Sequence, residues 1–172
     1  MPTPLIVPGF MKADVCAELR TVYAAGLASG SIRPRGITTT DIALTAVLAV
    51  PTVVDDVADL LRARFDLPEL RPDYVAYTRV LAGGSHVLHA DGVKLDGTPN
   101  HTPRRVASAM LYLSDGETDF TGGLLRFPML GMEIVPHPGL LVGFLTTLEH
   151  QHEVTLVTSG VRDAIAMWFF PA

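Results

Sequence analysis

The chain has one cysteine, Cys16, in 172 residues, which excludes an internal disulfide and makes a reducing cytoplasm the expected setting. Charge is also sparse. Asp, Glu, Lys and Arg make up 18%, and the net charge of −5 at pH 7 speaks against non-specific nucleic-acid binding. Long hydrophobic runs are missing. The most apolar internal stretch, IALTAVLAVPTVV, falls short of the about 20 residues needed to span a bilayer, so no membrane partner is expected. The first residues, MPTPLIVPGF, carry three prolines and no basic region, and do not read as a secretory signal. No internal repeat is visible. With 48% hydrophobic residues the chain can bury a sizeable core, and one domain over 1–172 is expected.

The apolar pattern changes along the chain. Val15, Leu19, Val22, Tyr23 and Leu27 recur at helical spacing between Met11 and Leu27. A turn-rich break with Arg33 and Arg35 follows. A second helical stripe after Pro51 takes in Val54, Val57, Leu60, Leu61 and Phe65, and closes before Pro68. From about Asp73 short β-prone runs recur, among them YVAYTRV, SHVLHAD, VASAMLYL, LLVGFL, HEVTLV and AIAMWFF, separated by Gly, Pro, Asn and Asp. The pattern predicts a mainly β fold with flanking helices: an N-terminal helical layer over 1–72 on a sandwich or barrel-like β core over 73–172. Two long loops, Gly92–Arg105 and Ser114–Gly123, are candidates for lid or substrate contacts.

Chemistry concentrates in GGSHVLHADG, Gly83 to Gly92. On a strand His89 and Asp91 point to one side, whereas His86 has the opposite parity. Far along the chain LEHQHEV supplies His150 and His152, and Arg162 comes ten residues after His152. Arg162, Ala164, Ala166 and Trp168 share one strand face; Val106, Ser108, Met110 and Tyr112 share another. Two histidines and a carboxylate on one face of a metal leave positions open, as non-heme iron(II) oxygenases require.

These motifs, in this order, resemble the iron(II)/2-oxoglutarate-dependent dioxygenases, and within them the prolyl-4-hydroxylase-like branch. The resemblance runs from about Tyr77 to Phe170 and includes HAD, MLYLS, FTGGLLRF, VPHPGLLVGF, HEVTLVTSGVR and AMWFF. It implies a double-stranded β-helix (jelly-roll, cupin-like) core, with Fe(II), 2-oxoglutarate and O2 as cofactor and cosubstrates. His89, Asp91 and His152 take the positions of the metal ligands. Arg162 falls where a basic residue pairs with the distal carboxylate of 2-oxoglutarate, Tyr112 where a hydroxyl reaches the same carboxylate, and Trp168 where an aromatic lines the pocket. The sequence departs from the pattern before the first ligand. There Arg79 and Val80 stand where a tyrosine is frequent, Tyr77 is displaced, and Arg79 becomes a candidate substrate contact. The acid of a Gly-Gly-Glu motif is Leu124 here. A prolyl substrate is therefore not transferred.

The activity implied is hydroxylation of an unactivated C–H bond in a small molecule, amino acid or peptide, with release of succinate and CO2. Desaturation or cyclisation, a non-catalytic 2-oxoglutarate or metal sensor, and a zinc hydrolase remain alternatives. The residues also have plainer readings. The two histidines and Asp91 can form a buried hydrogen-bonded cluster, and His150 can replace His152. Arg162 can be a solvated strand-end charge, Tyr112 and Trp168 core residues, and Gly122-Gly123 a bulge or close backbone approach. His86, His101 and His137 read as surface or loop histidines. Arg33 and Arg35 read as solvated loop charges or as a clamp for a substrate carboxylate.

Overall fold

The computed structural model describes residues 2–33 and 50–172, with backbone alone for Val50 and Pro51. Arg35 lies outside them; Arg33 is exposed.

The helical periodicities form helices α1 (Ala13–Ser29) and α2 (Val50–Phe65). Gly30 ends α1 in the left-handed conformation that a side chain would disfavour, its N–H bonded to the Leu27 carbonyl at 3.1 Å. Both helices bury one stripe. Cys16, Leu19, Tyr23, Val57 and Leu61 pack on Tyr77, Ala109, Leu111, Ile165, Met167 and Phe169. Each large apolar side chain so buried contributes roughly 1.5–3 kcal/mol.

Among the described residues ten strands follow the period-two pattern: β1 (Leu5–Val7), β2 (Leu70–Leu81), β3 (His86–His89), β4 (Ala107–Tyr112), β5 (Phe120–Gly122), β6 (Leu125–Phe127), β7 (Met132–Ile134), β8 (Leu141–Leu145), β9 (His152–Val154) and β10 (Val157–Pro171). All pairings are antiparallel. One sheet runs β1-β8-β4-β10-β2, with β5 also on β10; the other runs β3-β9-β6-β7. Tyr112, Val142, Phe144 and Ala164 of the first pack on Leu125, Phe127 and Ile134 of the second. The result is the expected double-stranded β-helix with helices on its outer face. Strand β10 is buried on both sides, so its alternation sorts chemistry from packing. Asp163, Ile165, Met167 and Phe169 face the helices, and Arg162, Ala164, Ala166 and Trp168 face the space between the sheets.

Three boundaries differ from the sequence reading. Strand β1 pairs with β8 although its two flanking prolines disguised it. Strand β2 starts at Leu70, not Asp73. HEVTLV is split, because the chain leaves the second sheet after Val154 and enters the first at Val157. Among the described residues no helix is long and apolar enough to cross a membrane.

Candidate active site

His89 ends β3, Asp91 lies in the bend just beyond, and His152 begins β9, paired directly with His89. One ligand atom from each lies within 4.8 Å of the others. His89 Nε2 is 3.5 Å from Asp91 Oδ1, and the two imidazole centroids are 4.4 Å apart. The Nδ1 atoms face carbonyls, which only accept: His89 Nδ1 donates to Val87 O at 2.8 Å and His152 Nδ1 to His150 O at 3.0 Å. Each ring thus carries its proton on Nδ1 and leaves Nε2 for the cavity, the tautomer a metal needs. Burial pushes the His152 pKa down to about 4, so its ring is neutral at pH 7. Burial alone would raise the Asp91 pKa, but the neighbouring His89 and His152 imidazoles and the hydrogen bond from Ser108 hold it well below the usual carboxylate range. The Asp91 hydrogen bond raises the His89 pKa against the effect of burial.

Ser108 is the residue the sequence reading passed over. Its Oγ donates to Asp91 Oδ2 at 2.6 Å, so one carboxylate oxygen is held by protein while the other turns towards the histidines. The shared parity of Ser108 and Tyr112 on β4 was the available signal. Two neutral nitrogens and one hard oxygen, each oriented by a second partner, suit Fe(II) and do not saturate it.

Arg162 faces the same cavity and is 1% exposed. Nε donates to Gly123 O at 2.9 Å and Nη2 to Tyr112 Oη at 3.4 Å. Gly123 has φ +62°, and a Cβ there would lie 3.0 Å from Arg162 Cδ, which explains a glycine at this point. Burial lowers the Arg162 pKa, opposed by Tyr112, yet a guanidinium stays charged at neutral pH. Among the described residues no carboxylate lies within 4 Å of it. A buried cation without a counterion is costly by itself and calls for an anionic ligand. The cavity, about 250 Å³, has the triad and Arg162 in one wall system with apolar Met110, Leu125 and Phe144. A small dicarboxylate reaching from a metal to Arg162 fits this donor arrangement.

Trp168 lines the cavity, flanked by Tyr74 at 5.8 Å and by the Arg105 guanidinium at 4.8 Å. His150 is excluded from it: Nδ1 meets Thr147 Oγ1 at 3.0 Å and Nε2 meets Pro2 O at 2.9 Å. Two expectations, for Arg79 and for His86, need correction. Arg79 does not face the cavity. It binds Asp163 at 2.7 and 2.9 Å and lies over the Tyr23 ring, because its parity on β2 points it at α1. Tyr77 shares that face, stacked on Tyr23 at 4.0 Å, while Thr78 lines the cavity. His86 does face the cavity: β3 has three steps from His86 to His89 against two on β9, and this bulge turns His86 inward. His137 sits outside it, 3.5 Å from Asp115. The loop at Ser114–Gly123 also serves the fold, since Asp119 binds Arg20 of α1 at 2.7 Å.

This donor set on this fold defines the iron(II)- and 2-oxoglutarate-dependent dioxygenases, and the chain belongs to the 2OG-Fe(II) oxygenase superfamily, whose profile matches residues 74–170. Fe(II), 2-oxoglutarate and O2 are accordingly its cofactor and cosubstrates. Human prolyl 3-hydroxylase 2 is 35% identical over 97 residues, 49% of this chain, and the chain spans only 13% of that protein. The viral collagen prolyl hydroxylase vCPH of Paramecium Bursaria Chlorella virus-1, solved as a 2OG complex, superposes with a TM-score of 0.78 at 20% identity, covering 98% of this chain and 96% of that one. A prolyl hydroxylase in complex with a hypoxia inducible factor oxygen degradation domain peptide fragment, from Trichoplax adhaerens, gives 0.74 at 18% identity, covering 99% and 84%. At these identities the structural likeness carries the fold.

Proposed function

We propose that the chain hydroxylates an unactivated C–H bond of a prolyl residue in a peptide, converting 2-oxoglutarate and O2 to succinate and CO2. The observation that carries this reading is Arg162, a buried guanidinium with no carboxylate partner among the described residues, facing the same cavity as His89, Asp91 and His152. A sensor would keep that anion site but has no need of a metal site with open positions. A zinc hydrolase leaves Arg162 without a purpose.

His89, Asp91 and His152 would hold the metal. Iron(II) bound there with 2-oxoglutarate and O2 supplies the oxidation of the C–H bond. Each histidine offers Nε2 because a backbone carbonyl holds Nδ1, and Ser108 keeps Asp91 turned to a single-oxygen contact. Arg162 and Tyr112 would take the distal carboxylate, with the guanidinium aimed by the Gly123 carbonyl. Leu125 and Phe144 give the cavity an apolar wall, and Trp168 forms the wall against which a substrate ring would lie. The prolyl substrate is supported by the names of the relatives and structural neighbours, and the peptide by the fragment seen with one of them. The single cysteine supports a reducing cytoplasm as its setting.

Succinate release with Fe(II), 2-oxoglutarate and proline-containing peptides tests this reading. The expected result is peptide-stimulated succinate and a product heavier by one oxygen atom. Tight 2-oxoglutarate binding with no turnover on any peptide would favour the sensor.

A further inference from the structure

We propose that the substrate carries a carboxylate beside the residue to be oxidised, and that Arg104 and His101 receive it at the end of a trough leading away from the metal ligands. This rests on the oxygenase reading and adds a substrate class to it.

Three cavities share walls in series. The first holds the triad. A second, about 250 Å³, shares His89 and Asp91 with it and extends to Lys94 and His101. A third, about 300 Å³, shares His101, Thr102 and Arg105 with the second and ends on Arg104 and Phe170. Beyond the triad this path carries three cations, Lys94, Arg104 and Arg105, against the single acid Asp73, in a chain whose net charge is −5. The loop over 92–106 brings Lys94, His101, Arg104 and Arg105 against one acid, Asp96, which is engaged with Thr98 in its own turn at 2.6 and 2.9 Å. Of the carboxylates lining the trough, Asp73 is paired with Arg105 at 2.7 Å and Asp91 belongs to the triad.

Arg104 is the open end of this arrangement. Its guanidinium lies 4.9 Å over the Phe170 ring, one step along from the Arg105–Trp168 pair, since Trp168 and Phe170 alternate on β10. Stacking fixes the plane of a guanidinium and leaves its N–H edge for a planar acceptor. Among the described residues Arg104 has no hydrogen bond and no carboxylate within 4 Å. The loop that carries it is preorganised. Asn100 Nδ2 and Thr102 Oγ1 donate to the carbonyl of Asp91 at 2.7 and 3.0 Å, and Thr146 Oγ1 donates to the carbonyl of Arg105 at 2.6 Å. The same backbone that presents a metal ligand therefore fixes the basic end of the trough. An extended substrate with its oxidised residue at Trp168 and a carboxylate at Arg104 meets complementary charge without ordering the loop.

The test uses protein loaded with Mn(II) and 2-oxoglutarate and fluorescent proline-centred pentapeptides, read by anisotropy. Peptides with Glu, Gln or Lys on either flank are compared, each with a free and an amidated C-terminus. We expect one flanking Glu to tighten binding roughly tenfold over Gln, a preference that falls with added salt. In Arg104→Glu the order should invert, with Lys above Glu, which a damaged fold would not produce. Binding that weakens on amidation by the same factor in all three series would identify the chain end, not a side chain, as the source of the carboxylate. Equal binding of all the peptides, free and amidated alike, no binding of any, or a Glu preference unchanged in Arg104→Glu would overturn the proposal. The oxygenase reading is separated by anaerobic addition of 2-oxoglutarate to the Fe(II) protein. A missing metal-to-ligand charge-transfer band sinks that reading, whereas a normal band with indifferent peptide binding sinks the subsite alone.

Discussion

Asp163 and Arg162 are chain neighbours on β10, both buried, and the strand sends them to opposite worlds. Asp163 faces α1 and is matched on the spot: Arg79 reaches it at 2.7 and 2.9 Å, Arg20 at 3.3 Å, and Ser114 Oγ takes its backbone N–H at 2.8 Å. Arg162 faces the space between the sheets and, among the described residues, finds a carbonyl and a phenol but no carboxylate within 4 Å. A buried charge whose partner comes from the same chain is architecture. A buried charge with no partner among the described residues implies a ligand that brings it.

The comparison can be broken at several points, taken from the largest expected effect to the smallest. Asp91→Ala removes the only anionic ligand of the triad and should abolish turnover; residual succinate release at the wild-type rate would show that the metal sits elsewhere. Arg162→Met should raise the 2-oxoglutarate requirement roughly thirtyfold or more, the cost of removing one partner of a desolvated charge pair. The Tm without cosubstrate should stay level or rise, because an uncompensated buried charge is gone. Asp163→Ala should do the reverse. It leaves the Arg79 guanidinium without its acid and Arg20 with Asp119 alone, and should cost about 3 kcal/mol of stability in urea unfolding. A raised 2-oxoglutarate requirement with unchanged stability would erase the distinction between the two faces. Ser108→Ala should weaken metal binding about tenfold, measured by Co(II) titration, and Ser108→Thr should restore it through its hydroxyl.

How much of this was legible in the sequence depended on whether the chemistry followed strand parity. The alternation on β10 and β4 correctly grouped Arg162 with Trp168 and Ser108 with Tyr112, and the helical stripes correctly gave the two helices. Parity failed at His86 because a bulge adds one residue to β3, and a bulge leaves no mark on a period-two pattern. It could not reveal that Arg79 meets Asp163, since that depends on which residues of β2 and β10 stand opposite each other. Register between strands far apart in the chain is set by packing, not by local composition. Ser108 was on the right face, but only the approach of β3 and β4 shows that its hydroxyl meets Asp91.

The central claim is that Arg162 is paired by 2-oxoglutarate itself. Its most direct test is an anaerobic titration of the Fe(II) protein with 2-oxoglutarate and with 2-oxobutyrate, which has the same keto-acid end and no distal carboxylate. Wild-type protein should bind 2-oxoglutarate far more tightly, and Arg162→Met should bind the two alike. A preference for 2-oxoglutarate that survives in Arg162→Met would contradict the account.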